Sequence, residues 1–249
     1  MPRGRARVRP RLKPRSLAIA VSVPVVLVGA YVLARETSTF SIRSVTVSGG
    51  TPALQAQVQA ALEPIVGKSL LAFDGAAAVR RVEALPAVVS ARYDRAFPHT
   101  LRIAVVPERP VAVVRRGKEN WLVSARGRAI EQIHAHTRLG LPRIWIPTAA
   151  PIAAGEFLAP GDGGVATSVL SLAAGFPARF TAAAFAHGQV TLRLRSGVEL
   201  RLGEPVDVRL KLAVARRALR VLPPGSTYLD VAVPQRPVAG ADPQLSGKG

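Results

Sequence analysis

The sequence predicts an α+β protein: one membrane-spanning helix near the N-terminus, followed by two mixed units of strands and packed helices. Three observations carry this expectation. A charge-free apolar run fills residues 17–34, directly behind a strongly basic tail. Between residues 40 and 107 the apolar period changes in the order strand, helix, helix, strand, strand. Further on, a hairpin pattern at 189–202 precedes a helical apolar stripe and a final alternating run at 227–233.

The tail, residues 1–16, carries Arg3, Arg5, Arg7, Arg9, Arg11, Lys13 and Arg15 and no acidic residue. The run behind it, Leu17 to Ala34, spans roughly 27 Å as a helix, close to the thickness of a hydrocarbon core. Pro24 is compatible with a membrane helix, where neighbouring groups satisfy the freed backbone. Cations stay on the cytoplasmic side, so the expected topology is a single-pass type II protein of the cell (inner) membrane. Its N-terminus is inside and everything after Arg35 is extracytoplasmic. A cleaved signal peptide is the competing reading, with Val32 and Ala34 as small residues at a cleavage site. Its apolar region is usually shorter, about 7 to 15 residues.

Across the chain, 34 basic and 15 acidic residues give a net charge of +19. The arginines outside the tail are scattered, and an extracytoplasmic domain has no nucleic acid to meet. The excess therefore points at most to wall polymers or lipid head groups. Cysteine is absent, which excludes disulfides, thiolate metal sites and a cysteine nucleophile.

The first outer unit opens with alternating Ile42, Val45 and Val47, ended by Gly49-Gly50: a strand and a turn. Thr51 and Pro52 form a helix start, and Leu54, Val58 and Leu62 share one helical face. After the anchors Leu70, Leu71 and Phe73, Asp74 caps a second helix with Val79, Val82 and Leu85, which Pro86 stops. Strands at 88–95 and 100–107 follow, joined through Phe97, Pro98 and His99. This order places helices on one face of a three-stranded sheet.

These residues resemble the POTRA domain of the bacterial cell-division family FtsQ/DivIB. The likeness rests on Pro86, Val88, Arg95, the Phe97-Pro98-x-Thr100-Leu101 turn, the alternation of Ile103 with Val105, and Glu108-Arg109-Pro110-Val111-Ala112. Upstream, Gly67-Lys68-Ser69-Leu70-Leu71 and the strand from Phe40 also match the family pattern. The resemblance implies a POTRA domain (β-α-α-β-β) at 40–108 and a mixed β-rich domain at 109–233. It also makes Glu108, Arg109, Pro110 and Val111 the recruitment surface. POTRA units occur in envelope assembly factors too, so a POTRA-bearing chaperone or translocation factor is the alternative.

The second unit resembles the same family. Trp121-Leu122-Val123 with Gly127 and Ile130 reads as a hairpin, Leu141 to Ile144 as a strand, and 164–174 as a helix. In the 189–202 hairpin, a three-residue loop of Arg195, Ser196 and Gly197 pairs Leu194 with Val198, Leu192 with Leu200 and Val190 with Leu202 inside. Arg193 then faces Glu199 outside. From Pro205, the residues Val208, Leu212, Ala215, Leu219 and Leu222 form an amphipathic stripe, with Arg209, Arg216, Arg217 and Arg220 off it on a solvated face. Pro223-Pro224-Gly225 ends that helix.

The last run, Thr227, Tyr228, Leu229, Asp230, Val231, Ala232 and Val233, is expected as a strand. The resemblance implies that it lies at a sheet edge and accepts a strand from FtsB, itself paired with FtsL, alongside other divisome components at the division septum. Leu229, Val231 and Val233 should face inward and Tyr228, Asp230 and Ala232 outward. This chain departs from better-known members by having Ala232 and Pro234 late in the strand, and no basic residue near Phe185 and Ala186. The tail at 234–249, rich in Pro, Gly and polar residues, is expected to be disordered.

Enzymatic patterns do not assemble. Val66-Gly67-Lys68-Ser69 lacks the first glycine of a phosphate-binding loop, Leu62 standing in its place. His134 and His136 have no third ligand in view, and His99 and His187 sit beside turn residues. The expectation is a scaffold without catalytic, cofactor-binding or metal residues. Its role would be to link early and late division components and control septal peptidoglycan synthesis.

Overall fold

The computed structural model describes residues 40–134, 137 and 139–241. The basic tail, the expected membrane helix at 17–34, His136 and residues 242–249 lie outside the described residues. Among the described residues, no helix is long and apolar enough to cross a membrane.

The chain divides into two compact units. One holds the described residues up to Arg81 with Ala91–Ala104, and the other Val82–Ser90 with the chain from Val105 onward. The first is built on a three-stranded sheet of β1 (Ser44–Ser48), β2 (Val88–Ala96) and β3 (Thr100–Pro107), in the order β1-β3-β2. β1 runs parallel to β3, with Val45 beside Leu101 and Val47 beside Ile103. Helix α1 (Pro52–Leu62) starts as its sequence requires: the Thr51 hydroxyl accepts the Leu54 N–H at 3.3 Å and Pro52 takes the first turn. It buries the Leu54, Val58 and Leu62 stripe. Helix α2 (Gly75–Glu83) starts at Asp74, whose carboxylate accepts the Ala77 N–H at 2.9 Å. A side chain at Gly75 would collide with the Tyr93 ring at 2.2 Å, so only glycine lets the helix start lie against β2. Tyr93 also meets Phe73 edge-on, with centroids 5.6 Å apart.

The Gly67–Leu70 segment runs along the start of the unit. Ile42 N–H donates to the Lys68 carbonyl, Gly67 N–H to Ile42 and Leu70 N–H to Phe40, all at 2.8 Å. Its glycine thus serves a turn that packs against the Phe40–Ile42 segment ahead of β1.

The second unit is a nine-stranded mixed sheet with the order β12-β11-β10-β9-β8-β7-β4-β5-β6. Its strands are β4 (Pro110–Arg116), β5 (Glu119–Ser124), β6 (Ala129–Ile133), β7 (Arg143–Ile146), β8 (Phe180–Ala186), β9 (Gln189–Leu194), β10 (Glu199–Gly203), β11 (Tyr228–Asp230) and β12 (Val238–Gly240). Helix α3 (Val165–Leu172) connects the parallel pair β7 and β8, and α4 (Val208–Ala218) connects the parallel pair β10 and β11. Parallel neighbours need such crossovers, and these helices cover the sheet. Val169, Leu170, Leu212 and Ala215 share a core with Ile144, Val190, Leu192, Leu200, Leu202, Leu229 and Val231.

The β9–β10 hairpin has the expected three-residue loop. Leu194 N–H donates to Val198 at 2.9 Å, and Gly197 takes φ +93°. Glu199 pairs with Arg193 and Leu200 with Leu192, but a bulge shifts Val190 from Leu202 to Gly203. The expected outward position of Glu199 is corrected: the residue is fully buried, its carboxylate accepting from Arg193 Nη2 at 2.9 Å. The strand register sets Tyr228 beside it, and the Arg201 guanidinium lies 3.8 Å from the Tyr228 ring centroid. Long side chains close this face of the sheet over the carboxylate.

The candidate partner-binding edge

A turn and two backbone hydrogen bonds to β10 lock the C-terminal segment to the sheet. After α4, the Ser226 hydroxyl and N–H both turn back to the Pro223 carbonyl, at 2.8 and 3.2 Å. The Glu199 N–H then donates to Thr227 at 2.9 Å, and the Val231 N–H to Arg201 at 2.8 Å. Between these ties, Leu229 is 2% and Val231 0% exposed, so they anchor the segment in the core. Asp230 ends the strand by accepting the Ala232 N–H on its own carboxylate at 2.8 Å, an Asx turn that competes with the ladder. β11 therefore stops at Asp230, and the extended strand expected over Thr227 to Val233 is corrected to Tyr228–Asp230.

Val233 is also corrected. It is 56% exposed, because the chain has left the sheet and turns through an Arg236 N–H to Val233 bond of 3.0 Å. Ala232 packs instead against Gly203, where a Cβ would lie 2.7 Å from its methyl.

The turn brings the chain back as β12, antiparallel to β11, with Gly240 opposite Tyr228, Ala239 opposite Leu229 and Val238 opposite Asp230. Thr227 N–H donates to the Gly240 carbonyl at 2.7 Å. Gly240 sits under the Tyr228 ring, where a Cβ would fall 2.5 Å from the hydroxyl oxygen, so the aromatic ring covers a strand position with no side chain of its own. Two expectations change together. The chain after Pro234 forms a further strand, β12, and the sheet edge belongs to it rather than to the 227–233 segment.

The signal for β12 was present in the sequence as the apolar Val238-Ala239 pair and Gly240 behind Pro237, but three residues are too short for a period to be read. At the edge, β12 exposes Val238 by 53%, and its backbone can offer alternate N–H and C=O groups to an added strand.

Of the expected recruitment residues, Glu108 is corrected from surface to interior: its side chain is 2% exposed and its carboxylate accepts from Arg126 through both Nε, at 3.2 Å, and Nη2. Arg109 and Pro110 are exposed, whereas Val111 packs partly against the core of the second unit. Arg126 and Arg128, which sequence reasoning passed over, tie down the other end of the sheet. Arg128 donates from Nε to the Gly155 carbonyl at 2.9 Å and from Nη1 to Val88 at 2.8 Å. Among the described residues, no group of three or more His, Cys, Asp or Glu side chains could hold a metal.

The Arg116–Glu119 pair is the clearest electrostatic feature. Arg116 Nε and Nη2 donate to one Glu119 carboxylate oxygen at 2.9 and 2.6 Å, and Trp121 Nε1 reaches it at 3.4 Å. The Arg116 hydrogen bond, then that of Trp121, hold the Glu119 carboxyl below the ordinary carboxylate range.

The strand-helix-helix-strand-strand body is a POTRA domain of the FtsQ type, as residues 40–108 match that family model. Over 137 residues the chain is 29% identical to the cell division protein FtsQ of Mycobacteroides abscessus. That match covers 55% of this chain and 44% of the relative, so the chain spans less than half the length of the curated relative it matches. The family resemblance seen in the sequence is supported by both findings, which liken the chain to the FtsQ/DivIB proteins.

Proposed function

We propose that this protein is a membrane-anchored cell-division scaffold that docks FtsB- and FtsL-type partners by strand addition. Residues 17–34 supply the single span with the basic tail inside, and the outer units act at the division septum to control septal peptidoglycan synthesis. The chemistry is recognition rather than catalysis. The supporting observation is the last position of β12 in the sheet order, with an exposed side chain at Val238 and core anchors at Leu229 and Val231 directly behind it. Relative to the sequence reading, the docking strand moves from Thr227–Val233 to Val238–Gly240, and β11 becomes its support. Arg109 and Pro110 remain the recruitment surface, without Glu108.

Successive N–H groups on a strand point to opposite sides, so of Val238→Pro and Ala239→Pro one removes an outward donor and the other an inward one. Both should weaken capture of purified FtsB–FtsL by the full chain in nanodiscs while leaving its far-UV circular dichroism intact. Undiminished capture by both folded variants sinks strand addition at this edge.

A further inference from the structure

Helix α4 carries a charge pattern that its own stability does not explain. It buries Val208, Lys211, Leu212 and Ala215, has no acidic residue in its sequence, and leaves its arginines to the outside. Cations in the last turn, Arg216 and Arg217, suit the helix dipole, but Arg209 in the first turn opposes it. Arg209, Arg216, Arg217 and Arg220 join no ion pair among the described residues. All four line a groove of about 510 Å³ between α4 and the C-terminal end of α3, and no acidic residue lines it. The same groove has an apolar floor that includes Leu172, Phe176 and Ala213.

We infer that this groove is a docking site for an acidic amphipathic helix of a partner protein. An apolar floor between two helices accepts the apolar stripe of a third, and arginine walls select carboxylates on its flanks. From Arg209 to Arg220 the cations extend roughly 16 Å along the helix axis, which fits an occupant of about three turns. Charge complementarity identifies the occupant: α4 offers only cations there, so the partner supplies the anions. Concavity favours a helix over a bilayer, which would meet only the rim. This inference is separate from strand addition at β12 and does not rest on it.

The test uses the full chain in nanodiscs of neutral lipid and a fluorescent peptide of about 16 residues, with leucines at helical spacing and glutamates elsewhere. Saturable binding is expected, strongly salt-dependent, and weakened about tenfold by R216E/R217E or by Leu172→Ser. A scrambled peptide of the same composition should bind about tenfold more weakly, because it has no continuous apolar face. Val238→Pro should leave peptide affinity unchanged, which separates failure of the groove from failure of the β12 edge. Equal affinity for the charge-reversed chain, or for the scrambled peptide, overturns the inference. So does displacement of the peptide by soluble dihexanoyl phosphatidylglycerol below the peptide's own Kd, which assigns the groove to lipid.

Discussion

The two ends of the nine-stranded sheet treat their exposed backbone in opposite ways. At β6 the chain covers its own edge: Ala129 N–H donates to Glu156 at 2.8 Å, Gly155 N–H to Ala129 at 2.7 Å, and Leu158 N–H to Gly127 at 2.9 Å. Arg128 fastens that cover from its side chain. At β12 the last strand is three residues long and carries no such cover among the described residues. Shortness limits indiscriminate pairing, while the neighbouring Pro234 and Pro237 break any longer strand. One edge is closed by a loop and the other is uncovered among the described residues, although both terminate the same sheet.

The comparison can be broken most severely from inside the available end. Glu199→Ala should remove about 3–5 kcal/mol of stability, since it leaves the Arg193 guanidinium without the buried carboxylate it pairs with. Chemical denaturation of the full chain in nanodiscs measures this, and a loss under 1 kcal/mol refutes a structural role for the pair. Next, Leu229→Ala should cost about 2–5 kcal/mol and release β12, because Leu229 is the core anchor behind it. Hydrogen exchange should then show Thr227 and residues 238–240 losing protection before β4 and β5 do.

At the closed end, Arg128→Ala should cost about 1–3 kcal/mol through the two carbonyls it leaves. If the 155–158 cover loosens, β6 becomes a second pairing edge, and self-association by analytical ultracentrifugation should rise. An unchanged sedimentation profile together with rapid exchange at Ala129 would show that the loop does not guard this edge.

The smallest effect concerns pH. The folded Glu119 carboxyl lies below its ordinary value, so its contribution is present above the unfolded pKa and is lost as pH falls through the folded one. Stability of the wild-type chain should therefore decline on the acid side of the normal carboxylate range, and Glu119→Gln should flatten that limb. A mutant with an undiminished acid limb assigns the decline to other carboxylates.

Local chemistry made much of this fold legible beforehand. Thr51-Pro52 and Asp74 announced both helix starts of the POTRA domain, and the only loop that segregates charged from apolar residues in the 189–202 hairpin is the one observed. Alternation says which residues lie on the same face of a strand, but not whether that face meets water. Alternation places Glu199 outside, whereas Arg193 across the hairpin pairs with its carboxylate in the interior, and Glu108, which the resemblance puts on the surface, is paired inside with Arg126, remote in sequence. The period continues through Val233 and puts it inward, yet the Asp230 side chain has already ended the ladder.

By itself, the sequence determined the element types, the helix caps, the hairpin loop and the family resemblance, because each depends on neighbours a few residues apart or on motifs in one segment. Only the tertiary structure decided which strand ends the sheet. A three-residue strand such as β12 has too little local preference to declare itself, and it forms because the Leu229 and Val231 anchors fix a template on which it can pair.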